Sequence, residues 1–219
     1  MALHAAWQQF EGEGKLLSAH FRNFAASKPL TLPSHFTVLD ECLLEGLLSG
    51  VWQAWNSFCR SCVIESCVGT VDATGRAVPG LPQATNEAHV SGAAIRAKKT
   101  TQPPHWGTPN TLLRAEPTWG DMTVLVNVIT RLRPVNAARL LGAFSSGHAS
   151  ARALQVIRNG AAHNHSQNVG DILSLRSAYV AFQIAHPTHA LFWTEPHSND
   201  FLVTRAIDDL TYISYTAIS

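Results

Sequence analysis

Charge is scarce in this chain: 14% of its 219 residues are Asp, Glu, Lys or Arg, and the formal net charge is +1. That balance excludes a protein that coats nucleic acid by bulk electrostatics and leaves only a local basic face to consider. Acid is nearly missing from residues 131–176, where Arg131, Arg133, Arg139, Arg152, Arg158 and Arg176 face Asp171 alone. Residues 37–75 reverse the bias, with Asp40, Glu41, Glu45, Glu65 and Asp72 against Arg60. The plain reading is two solvated faces that pair with each other. Cysteine is also sparse. Cys42, Cys59, Cys62 and Cys67 fall in one predicted helical stretch with no signal peptide before them, so the expectation is reduced thiols in a cytoplasmic protein. Cys59-x-x-Cys62 has no second cysteine pair to close a zinc site and lies in an apolar periodic run, which reads as buried thiols. Apolar runs break well short of the ~18 positions that cross a bilayer, so no membrane contact is expected.

What is abundant is helical pattern. A 46% hydrophobic content is enough for a sizeable core. Trp7, Phe10, Leu16, Leu17, Phe21 and Phe24 recur at three and four spacings over residues 5–26, as one helix or two short ones weakened by Gly12 and Gly14 and ended by Pro29 and Pro33. From Thr37 through about Cys67 a long helical period predicts the main core element. Residues 69–110 carry Pro79, Pro82, Pro103, Pro104 and Pro109 and read as a long loop with a short helix near 85–98; Lys98 and Lys99 beside His105 and Trp106 read either as a nucleic-acid contact or, more plainly, as incidental charge on an exposed insertion. Asp121 caps a helix that Pro134 stops, and a second short helix covers 135–144. A further helix runs from about Ala149 to the Arg158 region, where Gly160 lets it unwind. Another starts at Ser166 or Asn168 and continues through Ile172, Leu175, Tyr179 and Phe182. A small hairpin around Pro196-His197-Ser198-Asn199-Asp200 precedes a last helix from Ala206. The expected fold is mainly α: an antiparallel helical bundle with a long proline-rich loop and a small C-terminal β-hairpin, divided into an N-terminal helical segment, 1–35, and a helical domain, 36–219.

The chemistry concentrates in Ala153-Leu-Gln-Val-Ile-Arg-Asn-Gly-Ala-Ala-His163. A guanidinium keeps its charge at any working pH and forks two donors onto phosphate oxygens, while an imidazole gives or takes a proton near neutrality. Arg158 followed directly by Asn159, with small residues before His163, resembles the signature of the HEPN superfamily of helical ribonucleases. The likeness covers the motif and loosely the pattern from Thr37 to about Pro187, and it implies a helical 36–219 domain of that type. A five-residue offset puts Arg158 and His163 about 140° apart on a straight helix. Either the helix distorts at Gly160, or two copies present their groups to one cleft. The resemblance implies the second.

It further implies metal-independent cleavage of RNA without a cofactor. His163 would act on the ribose 2′-hydroxyl or the leaving 5′-oxygen, Arg158 would stabilise the phosphorane, and Asn159 would orient either one. The products would end in a 2′,3′-cyclic phosphate and a 5′-hydroxyl. Arg152, His165, Asn164, Asn56 and Arg60 are candidates for holding the RNA. Expected partners are the RNA substrate, a second copy in a homodimer, and an antitoxin or regulatory sensor, as for a toxin or effector in bacterial defence. The rival is a non-catalytic HEPN-like module that binds RNA or a nucleotide, or an assembly subunit of a defence complex. Structural readings stand beside these: Arg158 satisfying helix-end carbonyls, His163 capping the next turn, or His163 and His165 with Asp171 or the His186/His189 pair holding zinc. Trp106, Trp119 and Trp193 are either base-stacking platforms or packing groups.

Overall fold

The two longest apolar periods become the two longest helices, α1 (Ala2–Ala26) and α2 (Val38–Val68), in a computed structural model that describes residues 2–28, 36–99, 101, 103–163 and 165–219. The fold is mainly α. Gly12 and Gly14 do not divide α1, because burial of Phe10, Phe21 and Ala25 outweighs the ~1 kcal/mol that each glycine costs a helix. Pro29 and Pro33, expected to end it, lie outside the described residues, as does Asn164. A reciprocal capping box opens α2: the Asp40 amide donates to Thr37 Oγ1 at 3.2 Å and the Thr37 amide donates to Asp40 Oδ2 at 2.8 Å. Lys28 Nζ reaches the same carboxylate at 2.7 Å, and its hydrogen bond, with that of the Thr37 amide, holds Asp40 below the usual carboxyl range.

The chain divides into two units. One comprises Met1–Glu11, Trp55–His148 and Thr211–Ser219. Its core joins Phe10, Trp55, Phe58 and Phe144, with Phe10 5.5 Å from Trp55 and 5.6 Å from Phe58 between ring centres. Cys59, Cys62 and Cys67 lie buried beside them; desolvation pushes the Cys62 and Cys67 thiols up to about 12 and leaves them inert. The 69–110 stretch is more ordered than expected. Strands β1 (Thr70–Val71) and β2 (Ala77–Val78) pair antiparallel, Thr70 opposite Val78. Gly69, at φ +107°, and Gly80 sit where added Cβ atoms would meet opposing backbone at 2.9 and 2.1 Å. Asp72 ties the turn by accepting from the amides of Thr74 and Arg76 and binds Arg139 at 2.8 Å, so one acid of the 37–75 stretch does pair with a base of the 131–176 stretch. Helix α3 (Glu87–Ala97) follows. Asp121 caps α4 (Met122–Leu132) through the amides of Thr123 and Val124, and Arg133, left-handed at φ +54°, ends it before Pro134. α4 packs on α3 and on α5 (Ala137–Ser146).

The other unit comprises Gly12–Ala54 and Ala149–Leu210. It holds most of α6 (His148–Ala162), then α7 (Ser166–Ser174) and the start of α8 (Leu202–Ile218) around Phe21, Leu154, Ile157, Phe192 and Trp193. The helix expected through Tyr179 and Phe182 stops at Ser174 and gives way to a 3₁₀ turn, Leu175–Ala178. Val180 instead exchanges both backbone hydrogen bonds with Thr194, at 2.8 and 3.2 Å, which satisfies its peptide groups in extended form. The expected hairpin shrinks to the single bridge Thr194 to Phe201. Leu202 and Val203 are buried as the first turn of α8, which therefore begins four residues before Ala206.

Candidate active site

Small residues and a narrow apolar face make α6. Ala151, Ala153, Leu154, Ile157 and Gly160 are buried, and Arg152 and Arg158 project from the other side. The helix does not unwind at Gly160. It runs to Ala162, and the His163 amide still donates to the Asn159 carbonyl at 2.9 Å. Gly160 serves packing instead: a Cβ there would meet Ile172 Cδ1 at 2.5 Å and Pro187 Cβ at 3.4 Å. A straight helix keeps Arg158 and His163 about 140° apart, while Asn159 and His163 each fall within about 20° of Arg152, to either side of it, on one face.

The main chain at this helix end is closely tied. Asn168, in the first turn of α7, donates through Nδ2 to the carbonyls of Asn159 at 3.2 Å and His163 at 2.6 Å. The His165 amide also reaches the His163 carbonyl at 2.9 Å. The side chains are not tied. Arg158 is exposed and donates from Nη1 to Asn159 Oδ1 at 3.3 Å, and no carboxylate reaches it among the described residues. His163 is exposed, and its imidazole has no hydrogen-bond partner among those residues. Arg152 is likewise exposed with no acidic partner there. His165, expected at the substrate, caps α7: its Nδ1 accepts from the Asn168 amide at 3.5 Å.

Asn56 and Arg60 belong to the other unit and are occupied. Asn56 Oδ1 accepts the Gly120 amide at 2.8 Å. Arg60 forks onto Glu116, Nε to Oε2 at 2.7 Å and Nη2 to Oε1 at 2.8 Å, and Nη2 also meets Glu87 at 2.7 Å. Burial alone would raise the Glu116 carboxyl, but Arg60, Ser91 and Trp119 hold it below its usual range. Both are fixtures of the fold. Glu116, the acid that fixes Arg60, carried no signal in sequence, because 56 residues of chain separate the two.

Trp119 and Trp193 are buried and donate to Glu116 at 2.8 Å and the Phe182 carbonyl at 3.1 Å, so they pack and do not stack on bases; Trp106 is half-buried. His189 is buried against Phe36, 4.4 Å between ring centres, and its Nδ1 accepts the Ala185 and His186 amides. Among the described residues no group of three His, Cys, Asp or Glu side chains is placed to hold a metal ion, which leaves the zinc alternatives without a ligand set. No helix among those residues is long and apolar enough to cross a membrane. No family model, curated protein or solved structure matches the chain.

Proposed function

We propose that the protein is a metal-independent endoribonuclease of the HEPN type that acts as a homodimer, with Arg158, Asn159 and His163 as its reacting groups. One observation carries the reading: an arginine and a histidine stand exposed at a helix end, without acidic or hydrogen-bonding partners beyond Asn159 among the described residues, on a main chain that is tied down. Side chains without a structural task on a fixed backbone suit a substrate more than a fold. The straightness of α6 favours two copies over one, because a single helix does not aim both groups at one phosphate.

In the mechanism, His163 of one copy takes the proton of the ribose 2′-hydroxyl, and the freed oxygen attacks the adjacent phosphorus. The bond to the 5′-oxygen breaks, and that oxygen is protonated by the second copy's imidazole in its protonated form. The products are a 2′,3′-cyclic phosphate and a 5′-hydroxyl. Arg158 takes the charge that builds on the phosphorane, and Asn159 holds the guanidinium in line. Arg152 steers the backbone. A toxin or effector role in bacterial defence, with an antitoxin or sensor as restraint, follows from the resemblance alone.

Labelled RNA incubated with purified protein in EDTA tests this. Cleavage that is abolished in both Arg158→Ala and His163→Ala, and absent on DNA of the same sequence, supports the enzyme. Binding without cleavage in the native protein supports the non-catalytic module instead. Cleavage that stops with the chelator overturns the proposed chemistry.

A further inference from the structure

We infer that Asn168 is the positioning residue of this site: its single side-chain amide clamps the α6 end and sets where the His163 imidazole stands. The inference rests on the reading of Arg158 and His163 as the reacting pair. The last carbonyls of a helix lack intrahelical partners, and an unclamped end frays. His163 lies one residue beyond Ala162, in the zone that would fray first. Asn168 closes it from another helix, with one Nδ2 hydrogen on the Asn159 carbonyl and the other on the His163 carbonyl. The Asn159 carbonyl also receives the His163 amide, so three hydrogen bonds join residues 159, 163 and 168 in one closed loop. The Asn168 backbone amide is in turn bound to His165 Nδ1, which fixes α7 at the same point. Arg158 and His163 thus belong to a segment in which one side chain from the next helix holds the carbonyls of both Asn159 and His163, beside the backbone amides of His163 and His165. Small displacements of a general base cost rate steeply, while RNA contacts made elsewhere are unaffected.

The expected signature is a loss in kcat without a loss in KM. Asn168→Ala and Asn168→Asp, the second of which turns a donor pair into acceptors facing two carbonyls, should each lower kcat at least tenfold and leave KM within twofold. Gln167→Ala, on the same exposed turn, should change neither. Amide hydrogen exchange read by NMR separates the clamp from the enzyme reading. The His163 amide should be protected at least tenfold in the native protein and lose that protection in both Asn168 variants. A native protein that cleaves no RNA while showing this exchange pattern defeats the nuclease reading and leaves the clamp standing. An unprotected His163 amide in the native protein, or folded Asn168 variants with native kcat and native exchange, overturns the clamp, and the first of these needs no variant to fold.

Discussion

Arg60 and Arg158 are both arginines on helices, and the chain uses them in opposite ways. Arg60 has three of its hydrogen bonds on two carboxylates at 2.7–2.8 Å, one of them, Glu116, with its side chain only 6% exposed. Arg158 has a neutral amide at 3.3 Å and solvent. The first guanidinium is neutralised and fixed by three hydrogen bonds, with a quarter of its side chain still meeting water. The second keeps its charge and most of its five donors for something that is not in the fold. The difference teaches that residue type alone does not mark a site. What marks it is residue type minus what the structure already satisfies, and by that measure Arg152, Arg158 and His163 stand apart from Asn56 and Arg60.

The largest expected effect is on chemistry at the α6 end. Arg158→Ala and His163→Ala should each lower RNA cleavage by ~10²–10⁴, the usual worth of a general base or a charge-stabilising donor, with urea-unfolding midpoints unchanged. Arg60→Ala should do the reverse. It should leave cleavage near native and lower unfolding stability by about 2–3 kcal/mol, less than the ~3–5 kcal/mol of a fully buried pair because 25% of the Arg60 side chain meets water. Equal stability losses in both sets would erase the contrast. The pH dependence of stability sharpens it further. Glu116 and Asp72 have carboxyls held below their usual range in the folded state, so their contribution is complete above the ordinary carboxyl range and is lost as pH falls below that range through the depressed folded-state values. Glu116→Gln should therefore flatten the acid limb of a stability profile measured by urea unfolding, whereas Arg158→Ala should leave it as in the native protein.

Sequence periodicity revealed what is local. The long run from Thr37 became α2, Asp121 capped α4, and Pro134 followed its end, because capping and amphipathic spacing act within a few residues. It failed where distant partners decide. Val-Asp-Ala-Thr-Gly-Arg-Ala-Val, 71–78, has the acid and glycine of a tight turn, yet strands of two residues leave no alternation to read. Tyr179 to Phe182 has helical spacing and is extended, because Thr194 and Trp193 supply its backbone partners from elsewhere. In the site, Arg158, Asn159 and His163 were legible as a motif. The occupation of Arg60 was not, since Glu116 is remote in sequence, and neither was the clamp by Asn168, which from spacing alone reads as the start of a helix.

Gly160 is the smallest and most local of these contrasts. Spacing suggests a hinge; the structure makes it a contact. Replacing it with alanine gains up to ~1 kcal/mol of helix propensity but presses a methyl onto Ile172 Cδ1 at 2.5 Å, where overpacking costs ~1–3 kcal/mol. Gly160→Ala should therefore destabilise by about 1 kcal/mol. Ile172→Val removes the obstructing Cδ1 and alone should cost ~1 kcal/mol. Combined, the two should be less destabilising than their sum, with a coupling of about 1 kcal/mol in a double-mutant cycle read by urea unfolding. Strict additivity would mean that Gly160 is not packed against Ile172. A hinge would instead show in the cleavage rate: Gly160→Ala, by stiffening the helix, would lower kcat strongly even in the Ile172→Val background, where the contact reading expects recovery.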